Sequence, residues 1–183
     1  SPSGGPDTIE DMVVDRCGHR FPGASRVDAV EARGDAIYVT GNSAGVNGES
    51  DFATLKLDAD GRIEWVARYD GWGGKDIANT LVVDRRGSVY VAGFAALIDE
   101  ASGTKKNVFV LVKYTADGEE SWRAHFDSPM LRTARNPHVA LDANEDIYIV
   151  GTGRTDKYAD IITLKYDPSG NLLSVRRLDR KHN

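Results

Sequence analysis

Four histidines and one cysteine are the side chains of this 183-residue sequence best suited to metal binding or nucleophilic catalysis. No two of the histidines are four residues apart, the spacing at which a helix presents both to one zinc ion. Arg16 precedes Cys17 and His19 follows it, a setting that lowers a thiol pKa. A catalytic thiol also needs a positioned base and an oxyanion site, and no motif supplies them. We therefore expect no catalytic residue, no metal site and no cofactor.

Acidic residues recur in short stretches that could offer oxygen ligands to calcium. The clearest is DADG at 58–61, but an EF-hand loop continues to a glutamate at its twelfth position and the following RIEWVARY does not. The corresponding stretches TADG (115–118) and DPSG (167–170) begin with an acidic or hydroxyl residue and end with glycine, which is typical of hairpin turns. We interpret all three as turns.

Two glycine-rich stretches resemble catalytic loops only superficially. DGWGGKD at 70–76 lacks the Walker spacing of a phosphate-binding loop. GNSAG at 41–45 lacks the G-x-S-x-G spacing of a hydrolase nucleophile elbow. We expect residues 70–76 to connect two sheet units and to leave Trp72 exposed.

Composition excludes several classes of protein. Hydrophobic residues make up 40% of the chain and charged residues 28%, which is typical of a globular domain. The net charge of −5 argues against a nucleic-acid partner, which requires a concentrated basic surface. No apolar run approaches the roughly 18 residues of a membrane helix, so we expect no membrane insertion.

One short strand sequence occurs three times in the chain. GDAIYVTGNS (34–43), GSVYVAGF (87–94) and DIYIVGTG (146–153) align on Tyr38, Tyr90 and Tyr148, which are 52 and 58 residues apart. A second landmark, the glycine that closes each acidic turn, repeats at similar spacing at Gly61, Gly118 and Gly170. Two landmarks with similar periods indicate three tandem repeats of one structural unit.

Each repeat reads as four antiparallel strands. The third strand, DFATLKL, VFVLVKY or DIITLKY, is mainly apolar on both faces, which is typical of a strand between two layers. The fourth strand carries charge, as an outer edge strand does. Four-stranded units of about 50 residues that cover one another on both faces are the blades of a β-propeller. The sequence therefore predicts an all-β fold built from propeller blades.

The second repeat, LVVDRRGSVYVAGF followed by FVLVKYTADGEESW, resembles the bacterial SBBP propeller repeat, and all three copies match its pattern between about residues 27 and 178. Copy one departs from it with Ala32 and Arg33 in place of Val-Asp, and copy three with Ser174 or Val175 where a Trp stands elsewhere. The resemblance implies a scaffold, often in exported bacterial proteins, with no catalytic residues. It therefore implies a periplasmic, cell-surface or secreted location.

The predicted domain organisation is a single propeller domain of three full blades and a fraction. Residues 27–77 form blade 1, residues 78–135 blade 2 and residues 136–183 blade 3, while residues 1–26 form an N-terminal extension or a partial blade. Propellers close with at least four blades. We therefore expect a larger propeller, completed by further sequence or by a second copy of the chain in a homo-oligomer.

The favoured function is a non-enzymatic scaffold or binding module for a protein or glycan ligand. The most variable loops, residues 42–50, 95–107 and 152–159, are the expected binding surface, with Trp72 and Tyr158 as aromatic candidates. His138 is a further candidate, since the resemblance to the propeller repeat implies that it lies in the innermost strand, where it could line a central channel. The alternatives are a lyase or hydrolase whose site forms only in the completed ring, and a purely structural assembly module.

A lysine recurs at one position of the third strand, at Lys56, Lys113 and Lys165. Three repeated charges could ring a pore or a ligand. We favour a structural role, in which each stem lies on the neighbouring blade and the ammonium group pairs with an acid at the rim, such as Asp58 or Asp167.

Overall fold

The computed structural model describes residues 26–45, 48–98, 103–128, 133–154 and 159–178. Within these ranges the secondary structure consists of twelve strands: β1 (Arg26–Arg33), β2 (Ala36–Ala44), β3 (Ser50–Leu57), β4 (Ile63–Tyr69), β5 (Asp76–Val83), β6 (Val89–Ile98), β7 (Lys105–Tyr114), β8 (Glu120–Phe126), β9 (Thr133–Leu141), β10 (Ile147–Arg154), β11 (Ala159–Tyr166) and β12 (Leu172–Leu178).

The strands form three four-stranded antiparallel sheets in sequential order, β1–β4, β5–β8 and β9–β12. The first strands of successive sheets contact each other, since β5 packs against β1 and β9 packs against β5. This is the inner side of a propeller arrangement, and it confirms the predicted fold class of three four-stranded blades. The predicted partial blade at residues 1–26 lies, except for Arg26, outside the described residues.

Hairpin turns close one end of every blade, and aspartates organise them. Oδ1 of Asp58 accepts hydrogen bonds from the backbone N–H groups of Asp60 and Arg62, at 3.0 and 2.8 Å. The same pair of hydrogen bonds, donated by the backbone N–H groups of the residues two and four positions later, is accepted by Asp84, Asp142 and Asp167. The prediction that DADG and DPSG are turns is confirmed, because their first carboxylate serves the turn itself.

Each blade presents a leading face to the blade before it and a trailing face to the blade after it. Phe52, on the trailing face of blade 1, is fully buried, and a Cβ atom on Gly93 of blade 2 would lie 2.4 Å from its Cζ. Phe109 of blade 2 stands in the same relation to Gly151 of blade 3, at 2.5 Å. In blades 2 and 3 the glycine that ends the repeated tyrosine motif therefore makes room for a phenylalanine of the preceding blade.

Tryptophans of the outer strands form hydrogen bonds to the next blade. The indole Nε1 of Trp65 donates to the carbonyl of Ala116 at 2.9 Å, and that of Trp122 donates to the carbonyl of Pro168 at 3.2 Å. In blade 3 the corresponding position is Ser174, which pairs with Lys165 as Trp65 pairs with Lys56. The departure from the repeat pattern thus falls on the blade whose trailing face no described residue covers.

The repeated lysines have the structural role that the sequence favoured, but with other partners than predicted. Each ammonium group lies over the tyrosine ring of its own blade, at 5.9 Å for Lys56 and 5.0 Å for Lys165. Lys56 pairs with Glu64 and Lys165 with Asp146, both at 2.7 Å, rather than with Asp58 or Asp167. The reason is register, since both partners lie beside the lysine in its own sheet or turn.

The stack of blades is open at both ends in the described part of the chain. On the trailing face of blade 3, Ile161 is 50% exposed, whereas Phe52 and Phe109 at the corresponding positions are buried. Val30 of blade 1 is 61% exposed. Among the described residues there is no helix with the length and apolar character that a membrane span requires.

Candidate functional site

The blades have two chemically different ends. The turn end carries the β1–β2 and β3–β4 hairpins and their equivalents. The loop end carries the β2–β3 loops and the connections between blades. The three predicted binding loops all belong to the loop end, but they are shorter than predicted, because β6 continues to Ile98 and β7 begins at Lys105. Strand pairing continues into these segments because both edges still find hydrogen-bond partners.

Three aspartates converge at the loop end, at the junction of blades 1 and 2. Asp51 lies in β3, Asp70 follows β4 directly, and Asp76 opens β5. One carboxylate oxygen of each lies within 4.8 Å of the others. Asp51 is 4% exposed and Asp76 is fully buried, whereas Asp70 is exposed. Sequence reasoning missed this cluster, because its members come from three segments of two blades.

The buried carboxylates of this cluster are incompletely hydrogen bonded. Asp76 accepts a bond from the backbone N–H of Gly71 through Oδ2, at 2.6 Å. Its Oδ1 and the Oδ1 of Asp51 have no hydrogen-bond partner among the described residues. Buried polar atoms are nearly always bonded, so two unsatisfied oxygens in one cluster indicate a place where something else binds.

Glycines let the acidic groups approach. A Cβ atom on Gly45 would lie 2.2 Å from Oδ2 of Asp51, and one on Gly71 would lie 3.1 Å from Oδ2 of Asp76. Neither glycine needs the left-handed region, so space rather than backbone freedom explains both. The flanking DGWGGKD segment was the available sequence signal, since it places Asp70 and Asp76 around a tight, glycine-rich connection.

Electrostatics favours neutralisation of this cluster. Burial raises the pKa of Asp76 to about 6; the charges of Asp70 and Asp51 act in the same direction, and the N–H groups of Gly71 and Ala96 oppose it. Burial and then the charge of Asp70 also raise the pKa of Asp51, although the guanidinium group of Arg68 opposes them. Carboxylates whose pKa is raised in this way have too little positive charge nearby to stabilise their ionised form.

The corresponding positions in the other blades show how such an acid is paired with an arginine or avoided. Asp160 of blade 3 matches Asp51, and its Oδ2 receives both Nε and Nη2 of Arg177, at 2.9 and 2.8 Å. Blade 2 has the apolar Val108 there. In blade 1 the matching Arg68 donates to Ser43 Oγ at 3.0 Å and to the Ala44 carbonyl at 3.3 Å.

An aromatic group lies next along the chain from the acidic cluster. Trp72 is 40% exposed, which confirms the predicted exposure, and its ring centroid lies 4.6 Å from that of His125. His125 Nε2 shares a hydrogen bond with the hydroxyl of Tyr69 at 2.7 Å. Desolvation lowers the pKa of His125, and the positive charge of Arg123 adds to this effect. A neutral imidazole, fixed by Tyr69, therefore supports the exposed indole.

The other predicted site residues do not join this group in the described structure. His138 is exposed in β9, the first strand of blade 3, where it pairs with Val150 rather than lying at the loop end. Tyr158 lies outside the described residues.

No protein-family model matches the sequence, and no curated protein is similar to it. Solved structures with a similar fold do exist. Two structures of an ulvan lyase of polysaccharide lyase family PL25, one of them bound to -[GlcA(1-4)Rha3S]-, match 85% of this chain and 39% of their own, with TM-scores of 0.52 and 0.51 and 13% and 14% identity. A Bombyx mori β-fructofuranosidase of family GH32 matches 84% of this chain and 36% of its own, with a TM-score of 0.48 and 11% identity.

At these identities the likeness to the ulvan lyase shows the fold alone. This chain spans about two fifths of the length of that protein. The resemblance to the SBBP repeat therefore stays a prediction.

Proposed function

We propose that the chain is a segment of a β-propeller scaffold that binds a glycan at its loop end, with Trp72 as the main contact. The observation that carries the proposal is the exposed indole held on His125. An exposed aromatic ring on a rigid support offers a flat apolar face to the C–H groups of a sugar, at little cost in side-chain entropy. The resemblance to the SBBP repeat supports an exported bacterial location.

Two features favour a glycan over a protein ligand. Asp70, two residues before Trp72 in the chain, is exposed and can accept hydrogen bonds from sugar hydroxyls. The ulvan lyase with a similar fold was solved with a bound saccharide, which supports this ligand class for a propeller of this kind. A protein ligand would instead need a broad apolar centre at the interface, and among the described residues of the loop end Trp72 is the one exposed large aromatic ring.

The test is calorimetric measurement of the binding of soluble oligosaccharides to the wild type and to Trp72→Ala. The probes are a neutral xylo-oligosaccharide and a glucuronate-containing oligosaccharide, each titrated with and without calcium. We expect the substitution to weaken binding at least tenfold, because the stacking face is lost. Leu172→Ala, which changes a 44% exposed apolar residue in blade 3, is the matched control and leaves binding unchanged.

Equal binding by wild type and Trp72→Ala would remove the indole from the ligand contact and overturn the proposal. So would the absence of binding to either sugar probe.

A propeller lyase or hydrolase is the second candidate, and the hydrogen-bonded pair of Tyr69 and His125 favours it, because such a pair can move a proton. Tyr69 is only 1% exposed, however, and burial raises its pKa far above the usual value, which makes it a poor base. Release of unsaturated uronate from the glucuronate-containing probe, abolished in Tyr69→Phe, would favour the enzyme.

A further inference from the structure

We propose that Asp51, Asp70 and Asp76 bind one calcium ion at the junction of blades 1 and 2. This site does not depend on the glycan proposal. Two independent observations point to it. The three carboxylates offer oxygen atoms within 4.8 Å of one another, and the buried Asp51 and Asp76 each keep an unpartnered Oδ1.

The geometry suits calcium better than smaller ions. Calcium binds oxygen ligands at about 2.3–2.6 Å, so two oxygens on opposite sides of the ion are separated by up to about 5 Å. A set of oxygens within 4.8 Å of one another is therefore compatible with coordination of one calcium ion. Magnesium, at about 2.0–2.1 Å, requires a tighter and nearly octahedral set. Zinc prefers nitrogen and sulfur ligands, and these three groups offer only oxygen.

The alternative ways of satisfying these acids are used elsewhere in the molecule. At the turn end four aspartates, Asp58, Asp84, Asp142 and Asp167, each accept two backbone N–H groups, and in blade 3 two nitrogens of Arg177 donate to Asp160. Neither of these two arrangements is complete at Asp51 or at Asp76. Two buried carboxylates close to a third acid are costly, and a divalent ion offsets the repulsion among all three groups at once. The exposed Asp70 leaves the remaining coordination positions open to water.

The repeat itself supplies variants that preserve the fold. Ala134 of blade 3 occupies the position of Asp76 and is fully buried, and Val108 of blade 2 occupies the position of Asp51. Asp76→Ala and Asp51→Val therefore place a side chain that this backbone already accepts. Asp70→Asn changes only an exposed group. The control is Asp58→Asn, which removes a negative charge at the turn end.

The experiment is calorimetric titration of EDTA-treated protein with calcium chloride, and separately with magnesium chloride, together with the melting temperature in each. We expect saturable calcium binding with one ion per chain and a higher melting temperature. Asp76→Ala, Asp51→Val and Asp70→Asn should each weaken binding at least tenfold, whereas Asp58→Asn should bind as the wild type does. No calcium binding at 10 mM, tighter binding of magnesium, or normal binding by the three site variants would overturn the proposal.

A second inference concerns the leading face of blade 1. In blades 2 and 3 the turn glycine faces a tryptophan of the preceding blade: a Cβ atom on Gly118 would lie 2.6 Å from Trp65, and one on Gly170 would lie 2.9 Å from Trp122. Gly61 holds the same place in blade 1 with a similar φ of 76°, and no described atom lies within 4 Å of its Cβ position. A depression of about 370 Å³ opens beside it, lined by Arg33, Asp35, Ala36, Asp58, Ala59, Asp60 and Glu64.

We infer that this depression receives a tryptophan from a further blade of the same repeat type. Ala59 corresponds to Ala116 and Pro168, whose carbonyls accept the indole N–H groups in the other two turns. A second copy of this chain offers Ser174 from its trailing edge, and residues 1–25 contain no tryptophan. The occupant is therefore an additional tryptophan-bearing blade on another polypeptide segment.

The test gives blade 3 the trailing face of the other blades. The triple variant Ile161→Phe, Ser174→Trp, Arg176→Ala copies the residues of blades 1 and 2, since Arg176 stands where Ala67 and Ala124 lie. We expect the sedimenting mass of the triple variant to double relative to the wild type, as two copies join head to tail.

Adding Gly61→Ala to the triple variant should reverse the association, because a methyl group then occupies the indole position. An unchanged mass for the triple variant would overturn the inference. So would a wild-type dimer that Gly61→Ala dissociates, because a second copy would then already fill the depression.

Discussion

The two ends of the blades use the same residue type in opposite ways. At the turn end, aspartates such as Asp84 accept backbone N–H groups from their own turn and stabilise the hairpin. At the loop end, Asp51 and Asp76 are as deeply buried but keep unsatisfied oxygens close to other acids. The turn end is thus explained by folding alone. At the junction of blades 1 and 2 the loop end also holds buried carboxylate oxygens that no described residue hydrogen bonds, which is typical of a binding site.

The largest expected effect is at the turn end. Gly118→Ala should lower the free energy of unfolding by about 2–4 kcal/mol, because the residue has a φ of 85° and the new methyl group meets the ring of Trp65. Gly61→Ala is the matched control, with similar φ but open space, and should cost only about 1 kcal/mol. Urea unfolding of both variants measures the difference. Equal losses would show that Trp65 does not occupy the turn of blade 2.

Acid should act on the turn end in a defined direction. Burial tends to raise the pKa of Asp84, but bonds from the Ser88 and Arg86 N–H groups and the hydroxyl groups of Ser88 and Tyr90 outweigh it and hold the pKa below 3.8. Since the folded pKa is the lower one, this contribution to stability is complete above the unfolded pKa and is lost as pH falls through the folded pKa. Unfolding followed between pH 5 and pH 2 should show a shallower decline in Asp84→Asn. An identical decline would contradict the role given to the turn.

The smallest expected effect on stability is at the exposed part of the loop end. Trp72→Ala should change the free energy of unfolding by less than about 1 kcal/mol, because the ring is 40% exposed and its contact is with a surface histidine. Far-UV circular dichroism and urea unfolding check this result. A loss of several kcal/mol would make Trp72 a structural residue and would weaken the argument that it is displayed for a ligand.

The repeat landmarks carried the fold prediction. Three tyrosines and three turn glycines recur because the blades need the same hairpins and the same space for aromatic rings of a neighbouring blade. The repeat is therefore visible in a single sequence. The lysine partners were predicted wrongly, because Glu64 and Asp146 are brought to the lysines by strand and turn geometry that spacing alone does not reveal.

The acidic cluster could not be predicted for a related reason. Asp51, Asp70 and Asp76 become neighbours only when blade 2 packs on blade 1, and each residue also has a plausible isolated role in a loop. Trp72 was predicted to be exposed because it lies among glycines in a connection. Its support by His125 depends on contact between two blades and has no sequence signal.

The most direct test of the contrast between the two ends is a pair of alanine variants measured in EDTA at neutral pH. Asp84→Ala should lose about 1–3 kcal/mol of unfolding free energy, because two partly buried N–H groups are left without their acceptor. Asp76→Ala should lose less than Asp84→Ala, because removing a buried acid from a cluster of like charges offsets the lost bond from the Gly71 N–H, and blade 3 already carries alanine there. A loss in Asp76→Ala equal to that in Asp84→Ala would contradict the account, since the loop-end acid would then be part of the fold.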